Sequence, residues 1–214
     1  MRRLKPDVIL TCLQTAHSCI LEGELASYAF DSVLGYQPIV VHTDGQALEE
    51  VYEDMLKISS AVGLEGHGHA LVASMRDEMG RISARVQCAL SGIEPLSMSV
   101  VWWANPVVEA NAWVADMLKM LGVKNVGSAW KRANMVVWCL CGLGIDIAER
   151  EAKKLVARVG LGEGLSGQRM AAMDGVRYLS RPGPLLVQSM YNLADIILGS
   201  HGCRIGSWKW LEFE

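Results

Sequence analysis

No run in this sequence approaches the eighteen or so apolar residues that a membrane-spanning helix needs, so no span is expected. Basic residues are not in excess either. Twenty Lys and Arg against 23 Asp and Glu leave a net charge of −3, which gives no reason to expect a nucleic-acid partner. Enzyme signatures are missing as well. There is no Gly-x-Ser-x-Gly elbow and no Walker loop, and Gly142-Leu143-Gly144 lacks the third Gly of a dinucleotide fingerprint. Asp146 and Glu149 begin a helix, where negative charge suits the dipole, so they need no catalytic role. A non-enzymatic protein is the expectation. The six Cys lack the even spacing of a disulfide framework, and reduced thiols are expected. Phe is scarce, two against seven Trp. An export signal is not evident: Arg2 and Arg3 precede an apolar run, but Pro6 and Asp7 interrupt it and Val8-Ile9-Leu10 is short. A buried strand after a basic lead is the better reading, with an intracellular location by default.

What is present is organised around Gly66 to Leu90. Leu71, Met75, Met79, Ile82, Val86 and Leu90 recur at gaps of three and four, one face of an α-helix, with Arg76, Asp77, Arg81 and Arg85 opposite. At 1.5 Å per residue this helix is roughly 36 Å long. Before it, Val8–Thr11 and Pro38–Val41 are continuous apolar runs that suit parallel strands covered on both faces. Glu22 to Leu34 is expected as a helix. Another, with Leu48, Val51, Tyr52, Met55 and Ile58 as its stripe, opens with a Thr43/Gln46 capping box. After the long helix, Ser97–Trp103, Met135–Leu140 and Val176–Leu179 are expected as strands. Asn111–Leu121, Asp146–Val159 and Leu185–Leu198 are expected as helices, and the residues after Gly199 show no clear pattern. Strands alternating with helices predict an α/β architecture with parallel sheets. Ligands in such sheets sit at the carboxyl ends of the strands. Four loops become candidates: Thr11–Cys19, Trp103–Pro106, Cys141–Leu143 and Tyr178–Pro184.

Within these loops Trp103 could offer a large flat apolar face to a macrocycle, or pack in the core. Trp102 alternates to the other face and reads as core, as does Trp113 on its helical stripe. Cys12, His17 and Cys19 form a weak metal constellation without a second ligand pair, so no metal site is assigned. His17 alone could serve as an axial imidazole to cobalt or haem iron, or be a solvated loop residue.

Several segments together resemble one family. Met173 to Leu198, MDGVRYLSRPGPLLVQSMYNLADIIL, looks like the last segment of class III, helical-backbone, substrate-binding proteins of ABC importers, in particular the cobalamin-binding branch. VVWCLCGLGIDIAE (Val136–Glu149), VVWWANPVVEANAW (Val100–Trp113) and PDVILTCLQTAHSC (Pro6–Cys19) are similar to other stretches of that branch, in the same order. The resemblance implies two α/β lobes joined by one long interlobe helix, with a ligand in the cleft between them. It divides the chain into a partial first lobe (residues 1–65), the connecting helix (66–92), a second lobe (93–199) and a tail (200–214). The first lobe is expected to be incomplete, because the family has further strand-helix units before the Pro-Asp strand. The stretch between Val123 and Met135 is also shorter than the family's. The implied ligand is cobalamin or a related corrinoid. A haem or ferric-siderophore ligand, a metal, or a purely structural role for a degenerate member are the alternatives. No cofactor is required. An ABC transporter permease is the implied protein partner. The implied ligand-binding residues are Gln14, His17, Trp103, Asn105, Cys141, Gly142, Tyr178 and Arg181. Arg181 would anchor a polar group, or else bond a loop carbonyl.

Overall fold

The computed structural model describes residues 4–12, 35–159, 167–199 and 207–213. The chain divides into two compact units, Met1–Ser74 and Met75–Glu214. The division falls inside one uninterrupted helix.

In the first unit β1 (Val8–Cys12) and β2 (Ile39–Thr43) pair in parallel, from Val8 opposite Ile39 to Cys12 opposite Thr43. β2 continues two residues beyond the apolar run. Thr43 is therefore a strand residue, and its hydroxyl donates to the Thr11 carbonyl at 3.0 Å. The expected Thr43/Gln46 capping box does not form. Instead the Glu50 carboxylate accepts the backbone N–H groups of Gln46 (2.6 Å) and Ala47 (2.9 Å) at the start of α1, Leu48–Ala61. Those two donors hold the Glu50 carboxyl below its ordinary pKa. Deeper in the same turn, buried Asp54 accepts the Gly45 N–H at 2.8 Å and meets the Lys57 ammonium at 2.8 Å. The expected helix over Glu22–Leu34 lies outside the described residues.

Helix α2 runs Glu65–Leu90. Its buried line is Val72, Met75, Met79, Ile82 and Val86, whereas Leu71 is exposed and Leu90 half-buried. The stripe keeps its period but starts one residue later than expected. Val72 lies three residues before Met75 and extends the buried line directly, while Leu71 falls to its flank.

The second unit is built on a six-stranded sheet, in the order β4-β3-β6-β7-β8, with β5 also on β3. β3 (Ser97–Ala104), β5 (Lys124–Asn125), β6 (Met135–Trp138) and β7 (Arg169–Met173) are parallel; β4 (Val107–Glu109) and β8 (Trp208–Trp210) are antiparallel edges. Val100, Val101, Val136, Val137 and Trp138 are almost wholly buried, as continuous apolar runs in a doubly covered sheet should be. On one face lies α4 (Ile145–Val159), whose Ala148, Ala152 and Val156 join Val101, Val136, Trp138 and Leu140 in one cluster. Helices α3 (Trp113–Met120) and α5 (Leu186–Leu198) bury Trp113, Val114, Met117 and Leu118, and Leu186, Met190, Leu193 and Ile197.

Two strands sit where the sequence was read differently. Val176–Leu179 is a turn: Asp174 accepts the Val176 N–H at its side chain (2.9 Å) and the Tyr178 N–H at its carbonyl (3.1 Å). Such an aspartate turn competes with extended structure. The strand is Arg169–Met173, whose Ala171 and Ala172 have little strand preference but are wholly buried under the covering elements. The closing residues, expected as a patternless tail, supply β8. Lys209 at its centre reaches Asp146 (2.8 Å) and Glu149 (2.5 Å) on α4, and the Arg169 guanidinium lies 4.1 Å from the Trp210 ring centre.

Gly175 fixes how closely the loops after β6 and β7 approach. A Cβ there would lie 1.9 Å from the Leu140 carbonyl oxygen. Gly175→Ala should therefore destabilise the second unit by about 2–3 kcal/mol, read as a lower urea midpoint. Lys209→Met should cost about 1 kcal/mol at neutral pH. The Lys209 hydrogen bond, and then that of Lys153, hold Glu149 below its ordinary pKa. The stabilisation from Glu149 is full above the unfolded carboxylate value of about 4.3 and is lost as pH falls through the lower folded value. The gap between wild type and Lys209→Met in urea unfolding should accordingly narrow below pH of about 4.

Candidate functional site

Because β3, β6 and β7 are parallel neighbours, their carboxyl ends lie along one edge of the sheet. Three of the four candidate loops leave from it. Backbone hydrogen bonds lock them together: Cys141 N–H to the Trp102 carbonyl, Gly142 N–H to the Gly175 carbonyl, and Gly175 N–H to the Leu143 carbonyl, each 3.0 Å. Side chains add two further ties. Trp113 Nε1 donates to the Leu179 carbonyl at 2.8 Å, and the Cys139 thiol to the Tyr178 carbonyl at 3.2 Å. Burial pushes the Cys139 thiol far up in pKa. Cys139 is thus a neutral donor that braces the loop, with no thiolate character at neutral pH. Cys141, two residues on, is exposed.

β3 carries a bulge at Trp102, because Val101 faces Glu109 while Trp103 faces Val108. The extra residue re-aims the strand end. Trp102 turns against Trp113, with ring centres 5.7 Å apart. Trp103 turns outward and is 49 % exposed. Its Nε1 donates to the Asn105 carbonyl at 3.0 Å, which pins the indole to its own loop. Trp103 and Asn105 share a groove of about 270 Å³ with Leu140, Leu143, Ile147 and Glu151. The groove is mainly apolar. Its carboxylate, Glu151, pairs with Lys154 at 2.9 Å and Arg150 at 3.4 Å, and the Lys154 hydrogen bond chiefly keeps it below its ordinary pKa.

The structure brings Trp103 and Asn105 into direct contact and places the Cys141-Gly142 turn and Tyr178 on neighbouring loops of the same edge. Ser180 folds its hydroxyl back on the Gly175 carbonyl (2.7 Å), and Arg181 donates Nε to the Val176 carbonyl (3.0 Å). Arg181 thus bonds a loop carbonyl while its side chain remains exposed. Gln14, His17 and Cys19 lie outside the described residues. Among the described residues no cluster of three His, Cys, Asp or Glu side chains is placed to hold a metal ion, and no helix is long and apolar enough to cross a membrane.

Sequence reasoning missed the wall that α4 contributes. Ile147 and Glu151, followed by Lys154 and Arg158, recur at four, three and four residues. That line is the shoulder of the buried Ala148, Ala152 and Val156 stripe, so helical periodicity could have found it.

No protein-family model matches the sequence, and no curated protein does. Solved structures do match. A periplasmic heme-binding protein of Pseudomonas aeruginosa is 16% identical with a TM-score of 0.73, the match covering 99% of this chain and 79% of that one. A periplasmic heme-binding protein of Roseiflexus sp. RS-1 in its apo form is 15% identical, with a TM-score of 0.66 over 92% and 76% of the two chains. The periplasmic vitamin B12-binding protein of Vibrio cholerae is 14% identical, with a TM-score of 0.57 over 92% and 75%. These are likenesses of architecture, and with the long α2 helix they show that the chain has the class III, helical-backbone periplasmic-binding-protein fold.

Proposed function

We propose that this chain is a non-enzymatic solute-binding protein of the ABC-importer type, and that its ligand is cobalamin or a related corrinoid. The observation that carries the reading is Trp103. A half-exposed indole, hydrogen-bonded to its own loop, faces an apolar groove at the carboxyl edge of a parallel sheet. A rigid aromatic face at that edge suits a flat ligand, because stacking needs little further ordering. The cobalamin reading follows from the resemblance of the Trp103, Cys141 and Ser180–Pro184 segments and has a fold neighbour that binds vitamin B12. Haem is the second reading, supported by neighbours that bind heme; a ferric siderophore is the third.

In this proposal Trp103 stacks on the ligand and Asn105 holds the indole. The Cys141-Gly142 turn and Tyr178 supply contact surface, and the terminal guanidinium nitrogens of Arg181 anchor a polar group. Gln14 and His17 belong to the proposed set on the resemblance alone. A transporter permease receives the ligand.

Titration calorimetry and absorbance spectra with cyanocobalamin, haemin and a ferric siderophore test this. One of the three should bind with a Kd of about 1 μM or tighter. Trp103→Ala should weaken it about ten-fold, and Trp103→Phe much less. Neither heat nor a spectral change with any of the three would refute the proposal.

A further inference from the structure

The groove beside Trp103 continues past Glu151. A second hollow of about 370 Å³ shares Ala104, Asn105 and Glu151 with the first and is walled by Lys154, Leu155 and Arg158. Eleven residues of α4 separate Ile147 from Arg158, roughly 16 Å at 1.5 Å per residue. Along that length the lining changes character. Trp103, Leu140, Leu143 and Ile147 form an apolar end. Glu151 stands in the middle and is already neutralised, since both Lys154 and Arg150 lie on its Oε1. Arg158 stands at the far end, is exposed, and forms no ion pair among the described residues. Among the described residues the far hollow holds two cations, Lys154 and Arg158, against one carboxylate, and the surplus positive charge is carried by Arg158.

We infer that the paired grooves select a molecule with a flat apolar body and an anionic group at one end, the body against Trp103 and Ile147 and the anion at Arg158 with Lys154 beside it. This rests on reading the sheet edge as a ligand site, and it adds a choice within that reading: a ligand bearing a carboxylate, sulfonate or phosphate is preferred over an uncharged one of the same shape. Glu151 occupies Lys154, which would otherwise face the anion. It therefore acts as a brake on affinity rather than as a contact.

The test uses two dyes of nearly the same ring system, anionic 8-anilinonaphthalene-1-sulfonate and uncharged N-phenyl-1-naphthylamine, titrated by fluorescence into the whole chain. The wild type should bind the anionic dye about three- to five-fold more tightly, a preference that shrinks with added salt. Arg158→Gln should abolish that preference while leaving the uncharged dye unaffected. Glu151→Gln should tighten the anionic dye alone, an effect that a merely structural role for either residue does not produce. Trp103→Ala should weaken both dyes. All three side chains are at least partly exposed, so equal urea midpoints are expected and will verify folding. Equal affinity for the two dyes in the wild type, or an unchanged preference in Arg158→Gln, would overturn the inference. The macrocycle titrations are a separate readout. If they fail while the dye series holds, the corrinoid and haem readings fall and the anion-selective groove stands; the reverse result removes only the groove.

Discussion

The close passage of Gly175 over the Leu140 carbonyl is the constraint on which the second unit's ligand edge depends. With no side chain at Gly175, the loop after β7 can sit directly on the loop after β6, and the Gly142 and Gly175 amides bond across the gap. That contact sets the height of the Cys141-Gly142 turn, which in turn bonds the Trp102 carbonyl at the bulge of β3. The bulge decides which tryptophan is buried on Trp113 and which is presented. One backbone approach therefore propagates across three strands and ends in the exposure of Trp103. Its product is the shape of the sheet's carboxyl edge.

How legible this was depended on what kind of signal each part carries. The long helix, the core strands and the helical stripes rest on period and apolar content, and Met75, Met79, Ile82 and Val86 announced their face plainly. The capping of α1 misled because Thr43 and Gln46 satisfy a local rule that Glu50, four residues after Gln46, satisfies better once β2 has extended through Thr43. β7 was hidden because Arg-Met-Ala-Ala-Met has no strand preference. Ala171 and Ala172 are wholly buried between the covering elements, a fact of tertiary packing that no local window contains. β8 was hidden for a different reason. Trp208 and Trp210 are strand-like only when Lys209 finds Asp146 and Glu149, some sixty residues away.

The candidate site was partly legible in the same sense. Its loops could be named from the rule that parallel sheets bind ligands at their carboxyl edge, and the edge does collect Trp103, Asn105, Cys141, Gly142 and Tyr178. Two things were beyond that rule. The direction of Trp103 depends on a bulge, and strand alternation cannot anticipate where an extra residue is inserted. The α4 wall depends on which shoulder of a buried stripe faces the loop, which follows from how the helix is rolled on the sheet.

The placement of charge separates the site's two tasks. Beneath the edge the polar groups are turned inward to hold loops: the neutral Cys139 thiol, the Trp113 indole and the Ser180 hydroxyl each bond a backbone carbonyl. Along the groove they are turned outward and unequally matched, with Glu151 shared between two cations and Arg158 without an ion pair among the described residues. Loops held by such bonds resist reorganisation on binding, whereas a rim with surplus charge gives direction to an incoming ligand at little cost to stability. The surplus comes from the residues this chain places on α4, so under the proposed reading selectivity would belong to the groove's far end and affinity to the indole.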